Sequence, residues 1–305
     1  MSAVQPKISV AGVIGLGAMG AGMASSLLRA GYSVQVFDMR EAAMQKLAEL
    51  GATPCASASQ LAKTSAIVIS VVINAQQVED VLFGSGQVAA NMNKGSVFVM
   101  CSTVAPAFSV QMEKRLNALG IEYLDAPISG GAAKAASGQM TMMTAGSAAA
   151  YAACGDALQA MAAKVYKLGD AAGNGSKVKI INQLLAGVHI AVAAEAMALG
   201  LREGVNAAEL YEVITNSAGN SWMFENRMAH VLAADYTPLS AVDIFVKDLG
   251  LVLDTARTSK FPLPLASTAH QMFMQASTAG FGGEDDSAVI KTFPGIVLPT
   301  SPKKA

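Results

Sequence analysis

The distribution of apolar and polar positions divides the chain into two regimes. In the first, short runs rich in β-branched and aromatic residues ("ISVAGVIGLG", "YSVQVFD", "SAIVISVV", "SVFVMCS", "IEYLDAP", "MTMMTAG" and "KVYKLG") alternate with stretches of helical periodicity, such as "MASSLLRAG", "REAAMQKLAELG" and "PAFSVQMEKRLNALG". Strands that alternate with helices predict a doubly wound, mostly parallel sheet, because parallel neighbours need a crossover connection. After about residue 173 the strands stop. From Asn174 onward only helical stretches are found, punctuated by "EGVN", "SAGNS", "DYTPLS", "KFPLP" and "AGFGGEDDS". The pattern predicts an α/β domain over residues 1–173 followed by an all-α C-terminal domain over residues 174–305. A long helix from Ser176 to about Arg202 joins them, and at ~1.5 Å per residue it is roughly 40 Å long.

Part of that helix, Ile180 to Leu201, is apolar over about the length that crosses a bilayer. Asn182, Gln183, His189 and Glu195 interrupt it, and polar groups inside a membrane are costly, so the expected structure is a buried helix of a soluble protein. Composition narrows the partners. With 305 residues and 52% hydrophobic content the chain can bury a sizeable core, and Lys+Arg 21 against Asp+Glu 22 leaves a net charge of −1. No basic tract occurs beyond the terminal "PKKA", so neither nucleic acid nor a membrane is expected as a partner, and a small molecule is. Cys55, Cys101 and Cys154 lack CxxC spacing, which argues against a disulfide framework or a zinc site and predicts three core residues and no metal. The amino terminus, "MSAVQPKISVAGVIGLG", has no basic region followed by an apolar core and a cleavage site; the expectation is a cytoplasmic protein.

Gly15-Leu16-Gly17-Ala18-Met19-Gly20 fits GxGxxG. The pattern gains weight from its context: a β-rich run precedes it, a helix follows, and Asp38 ends the next strand about 20 residues on. Gly15 permits the tight turn, Gly17 lets backbone approach a pyrophosphate, and Gly20 allows close packing of helix on sheet, with the helix amino terminus attracting the phosphate charge. The pattern predicts the dinucleotide site of a Rossmann-type domain, the alternative being a glycine turn that holds no ligand. Asp38 is placed to bond the adenosine ribose and to repel a 2′-phosphate, which favours NAD over NADP. Arg40 is placed to stack on adenine or reach a phosphate, or else to be a solvated residue at a helix start. Met39, beside them, and Val72, at the end of "SAIVISVV", join the cofactor-binding candidates with Leu16, Ala18 and Met19. In "VMCSTVAP", Ser102 and Thr103 follow a strand and Pro106 suits a helix start, so Thr103 either touches the nicotinamide ribose or caps that helix.

"DAPISGGAAKAASGQ" reads as a loop of small residues leaving a strand. Ser129, Gly130 and Gly131 can offer successive N–H groups and a hydroxyl, a concave nest for a substrate carboxylate, or else form a flexible turn. Lys179 is the awkward residue of the long apolar helix. Asn182 and Gln183, at i+3 and i+4, share its face, while Ile180, Ile181, Leu184 and Leu185 point elsewhere. A desolvated lysine is pushed down from its ordinary pKa of ~10.4 and can take a proton from a hydroxyl whose carbon loses hydride. The plain alternative is a lysine that reaches solvent past the helix end. Lys177, on another face, is expected to be ordinary surface. His189, His230 and His270 are isolated from one another, and Trp222 and Met223 are expected to pack or to shape a pocket.

"VIGLGAMGAGMA", "LDAPISGG" and "GNGSKVKIINQ" resemble, in order and spacing, the β-hydroxyacid dehydrogenases, which include 3-hydroxyisobutyrate dehydrogenase and tartronate semialdehyde reductase; the resemblance covers nearly the whole chain. It implies that Lys179, in G-x-G-x-x-x-K-x-x-N, is the catalytic acid/base and that Asn182 orients the substrate hydroxyl. It further implies that Ser129, Gly130 and Gly131 bind the substrate carboxylate. The stretch "FVKDLGL" resembles the family's carboxy-terminal cofactor contact, implicating Lys247 and placing Asp248, with Gln183, among the substrate-binding residues. More narrowly, "INQLLAGVHIAVAAEAMAL", "AGNSWMFENR", "SAVDIFVKDLGLV" and "EDDSAVIK" resemble the L-threonate dehydrogenase branch, which oxidises the 2-hydroxyl of a four-carbon sugar acid with NAD. Gln183 stands where 3-hydroxyisobutyrate dehydrogenases have the second of two asparagines, but it also occurs in tartronate semialdehyde reductases.

Three alternatives stay open at this point: 3-hydroxyisobutyrate dehydrogenase itself, an NADPH-dependent reductase of a small semialdehyde, and a non-catalytic dinucleotide-binding protein. Family members are dimers or tetramers, so a homodimer or homotetramer is expected.

Overall fold

The computed structural model describes residues 10–300. Contacts divide the chain into two compact units, Met1–Lys179 and Ile180–Ala305. The division falls inside one helix, Asn174–Arg202, whose residues 174–179 count with the first unit and the rest with the second.

In the first unit the strands are β1 (Val10–Ile14), β2 (Ser33–Phe37), β3 (Thr53–Pro54), β4 (Ile67–Ser70), β5 (Val97–Met100), β6 (Glu122–Asp125), β7 (Ile128–Ser129), β8 (Met140–Gly146) and β9 (Ala162–Lys167). They form one sheet in the order β3-β2-β1-β4-β5-β6-β8-β7, with β9 paired to β8. The pairs from β3 through β6 are all parallel, and β8 runs antiparallel to both β6 and β7. β4 and β5 are buried at every position, as central parallel strands covered on both faces must be, and this explains their unbroken apolar runs. Alternate side chains feed two cores: Val13, Ile69, Val99 and Leu124 pack with Met23 and Leu27, while Ile14, Val68, Phe98 and Tyr123 pack with Leu61, Leu82, Met112 and Leu116.

Register places the carboxyl ends of five strands in one row. Phe37 pairs with Ile14, Ile14 with Ser70, Ser70 with Met100, and Met100 with Asp125. Chain order reverses between β1 and β4, which makes that edge the switch point where an open α/β sheet takes its ligand.

The second unit, among its described residues, holds helices and a single isolated bridge, Ala241 to Asp285. The long helix buries Ala186, Ile190, Ala194 and Met197 in a core with Phe224, Met228, Phe245, Leu249, Phe273 and Val289. It is long and apolar enough to span a membrane, yet 44% of its apolar window is buried. One face of it serves that core, while Val178, Ile181, Leu185, Val192 and Leu199 stay exposed. At Gly187 a Cβ would sit 2.9 Å from the Leu249 side chain, so the missing side chain lets helix Val242–Thr258 approach closely. A buried ion pair joins Arg227 of helix Trp222–Ala233 to Asp286 of the 3-10 helix Asp286–Thr292. Burial pushes the Asp286 carboxyl up to about 7, against the pull of Arg227.

The seven long strands stand where periodicity put them. Two short ones, β3 and β7, were not anticipated. The stretch read as a small-residue loop needs a larger correction: Ser129 ends β7, and residues Gly131–Ser137 form a helix. Its alanines are good helix formers, and its carboxyl end is closed by Gly138 at φ +69°. The helix after the glycine loop also begins earlier than its apolar pattern, at Ala18.

Candidate active site

The glycine loop leaves β1 at the switch point. Gly15 has φ +89°, a conformation that L side chains rarely adopt, and its N–H donates to the Phe37 carbonyl at 3.0 Å. A Cβ on Gly20 would run into the Gly15 carbonyl oxygen, so that glycine is required by the packing of helix Ala18–Arg29 on the loop. Gly17 differs from both. It caps that helix without a side-chain hydrogen bond, and a Cβ there would meet nothing within 4 Å. Exposed Ala18 and half-buried Met19 follow it. This opening at a helix amino terminus fits a pyrophosphate.

Asp38 follows β2 in the same row. Its carboxylate accepts the Leu16 N–H at 2.6 Å, the Arg40 N–H at 2.8 Å and the Arg40 Nε–H at 3.1 Å. Arg40 Nη2 also donates to the Leu16 carbonyl at 3.1 Å, so Arg40 neither floats in solvent nor points away from the acid. It straps Asp38 to the glycine loop, although its side chain is 65% exposed against 10% for Asp38. Burial draws the Asp38 carboxyl upward, but the bonds donated by Arg40 and Leu16 outweigh it and hold the group below the usual carboxylate range. Leu16 contributes its backbone to this arrangement and its side chain to the core, whereas Met39 is 91% exposed.

At the ends of β4 and β5, the Ser102 hydroxyl donates to the Val72 carbonyl at 2.7 Å and ties the two loops together. Val72 and Thr103 are both half-buried beside this bond, and Pro106 occupies the first turn of helix Pro106–Asn117. Gly130 and Gly131 have φ +137° and +76°, two consecutive conformations that turn the backbone sharply after Ser129.

The sequence reading missed Asp125. This carboxylate ends β6 wholly buried and accepts the Gly173 and Ser176 N–H groups, each at 2.9 Å, and the Ser176 hydroxyl at 2.7 Å. A negative group here satisfies otherwise unpaired helix donors and suits the helix dipole. Burial raises its pKa, and the bonds from Ser176 and Gly173 oppose the rise. Its role gave a faint signal in sequence: an acid at a strand end, facing a "GNGS" that opens a helix.

Lys179, one turn after Ser176, is 7% exposed and does not run out to solvent. Lys177 is exposed, as expected.

In the second unit four of the expected residues form one network. Asp248, 2% exposed, accepts the Gln183 Nε2–H at 2.6 Å on one oxygen and the Lys247 ammonium on the other. Gln183 Oε1 in turn accepts the Asn182 Nδ2–H at 3.1 Å.

Other candidates take no part in these groupings. His270 contacts the Val246 carbonyl at 2.9 Å, and His230 lies 3.8 Å from Asp285. Trp222 is largely exposed and Met223 packs against the core. The three cysteines are buried thiols, and among the described residues no cluster of three potential metal ligands occurs.

Known dehydrogenases are similar to this chain in sequence and fold. Residues 10–169 match the NAD binding domain of 6-phosphogluconate dehydrogenase, and residues 173–293 match the NAD-binding family of NADP-dependent 3-hydroxyisobutyrate dehydrogenase. An L-threonate dehydrogenase of Cupriavidus necator is 65% identical over 288 residues, 94% of this chain and 97% of that protein. Another, of Haemophilus influenzae, is 51% identical over 94% of this chain and 96% of its own length. A solved structure described as 3-hydroxyisobutyrate dehydrogenase from Salmonella typhimurium is 54% identical, with a TM-score of 0.90 over 93% of this chain and 100% of that one. The chain is therefore a nicotinamide-dinucleotide-dependent oxidoreductase of small molecules, and it belongs to the β-hydroxyacid dehydrogenase family.

Proposed function

We propose that the protein is an NAD-dependent L-threonate dehydrogenase, which oxidises the 2-hydroxyl of that four-carbon sugar acid to the 2-oxo acid. The observation that carries the chemistry is the burial of Lys179 on the helix held by Asp125. Relatives of that name, 51% to 65% identical over 94% of the chain, support the substrate.

Each residue has a part in the reading. Ser129 with the backbone of Gly130 and Gly131 takes the substrate carboxylate. Asn182 orients the hydroxyl, and the Lys179 amine takes its proton and becomes an ammonium as the C–O bond gains double-bond character. When bound, the nicotinamide ring supplies the acceptor for the hydride leaving the carbinol carbon. The dinucleotide is held by the open backbone at Gly17 to Gly20, by Asp38 on the adenosine ribose, and by Val72, Thr103 and Lys247. Asp38 stays charged and, strapped by Arg40, offers no ready place for a 2′-phosphate, which supports NAD over NADP.

A second copy of the chain completes the reading. Val178, Leu185, Val192 and Leu199 recur at seven-residue intervals on the long helix with Ile181 beside them, and they are between 39% and 62% exposed. A stripe of that period suits another helix of the same kind, which supports a homodimer or homotetramer.

A panel of C3 to C5 hydroxy acids, assayed with NAD and with NADP, tests the proposal. L-threonate with NAD should give the highest kcat/KM. The Salmonella protein, described as 3-hydroxyisobutyrate dehydrogenase, supports that acid as the second reading. Faster turnover of 3-hydroxyisobutyrate, or of any acid with NADP, would overturn the first.

A further inference from the structure

We infer that Asp248 is a positioning residue that fixes the sense of the Asn182 amide through Gln183, and that neither Asp248 nor Gln183 is a substrate contact. The inference rests on the reading of Asn182 as the group that orients the substrate hydroxyl.

The argument begins with what each group can donate. A carboxylate accepts only, whereas an amide has an accepting end and a donating end. Asp248 lies 2% exposed on helix Val242–Thr258, and both of its oxygens are engaged by the chain itself, one by the Lys247 ammonium and one by Gln183. An amide facing a carboxylate at 2.6 Å must present its NH2, since the oxygen would meet a second acceptor. Gln183, 8% exposed, is too enclosed for water to satisfy a reversed amide. Its Oε1 is thereby turned to Asn182, and Asn182 must answer with Nδ2, at 3.1 Å. That bond uses one Nδ2 hydrogen of Asn182 and so fixes which side of the amide carries Oδ1 and which carries the second Nδ2 hydrogen.

The consequence is chemical. An amide held in one sense presents one constant hydrogen-bonding face to the substrate hydroxyl, whereas one free to flip alternates between accepting and donating, so the fixed sense holds the hydroxy acid in a single orientation while Lys179 takes its proton. With the carboxylate at residue 248 replaced by an amide, the Gln183 amide can take either sense, and Asn182 loses its fixed direction.

Exchange of the two groups separates this role from simple packing. Asp248→Asn alone should lower kcat for the hydroxy acid about tenfold or more. Adding Gln183→Glu moves the carboxylate to residue 183, where it accepts from the introduced amide and again from Asn182; kcat should return to within about threefold of the parent. A folded double variant no more active than Asp248→Asn overturns the inference. If that double variant does not fold, Asp248→Asn and Gln183→Leu decide instead. Equal losses that do not multiply when combined support the relay, and multiplying losses overturn it. Asn182→Ala distinguishes the underlying reading: normal turnover there refutes the role of Asn182 itself, whereas a loss there with multiplying losses at residues 183 and 248 refutes only the relay.

Discussion

The Asp125 carboxylate receives both the N–H and the hydroxyl of Ser176, three residues before Lys179. One buried acid at the end of β6 thus sets where the long helix starts and which way its first turns face. Asp125→Ala leaves the Gly173 and Ser176 donors unpaired in the interior, at a cost of about 3 kcal/mol. Urea unfolding of the parent and the variant should show that difference. The surviving folded enzyme should also lose kcat more than it loses NAD affinity, because Asp38 and the glycine loop are untouched.

The bond proposed between Asp38 and the adenosine ribose predicts a second effect. Asp38→Asn should weaken NAD binding about ten- to a hundredfold, as the loss of a hydrogen bond to a charged group implies. Titration of the two proteins with NAD and NADP should show the NAD preference shrinking. A variant that keeps the parent's NAD affinity would remove Asp38 from the cofactor site.

The same residue gives a pH dependence whose sign is fixed. The folded Asp38 carboxyl lies below its ordinary value of 3.8, so the folded chain gives up this proton more readily than the unfolded one. Its contribution to stability is present above that ordinary value and is lost as pH falls through the folded value. Stability of Asp38→Asn, measured by denaturant unfolding across the acid range, should fall less steeply there than that of the parent.

Arg227 and Asp286 are buried together, and removal of one leaves the other charge in an apolar surrounding. Asp286→Asn should cost about 3–5 kcal/mol, and Arg227→Met added to it should recover much of the loss. Thermal unfolding of the three proteins distinguishes this from independent effects, which would add.

On the exposed stripe of the long helix, Leu185→Glu with Val192→Glu should lower the molecular mass measured by light scattering to that of a smaller assembly. An unchanged mass would contradict self-association through this stripe.

Legibility of the sequence depended on how local each cause was. Gly15, Gly17 and Gly20 could be assigned separate tasks because turn, approach and packing are steric matters within a few residues, and the geometry of the loop matches that division. Asp38 was legible by its distance from the loop. The strap formed by Arg40 was not, since a side chain two residues past an acid can point either way until the fold brings the Leu16 carbonyl beside it. Asp125 escaped notice because its partner lies 51 residues away and only the sheet brings β6 to the start of the helix. The helix Gly131–Ser137 was concealed by its own glycines, which read as a loop until their positive φ values are seen to enter it. Lys179, by contrast, was legible as a basic residue at the opening of a long apolar run.

That lysine carries the central claim, and Lys179→Ala tests it most directly. The account predicts that the variant still binds NAD with about the parent's affinity while kcat falls by about a hundredfold or more, the range expected for loss of a general base. Near-normal kcat in that variant would contradict it.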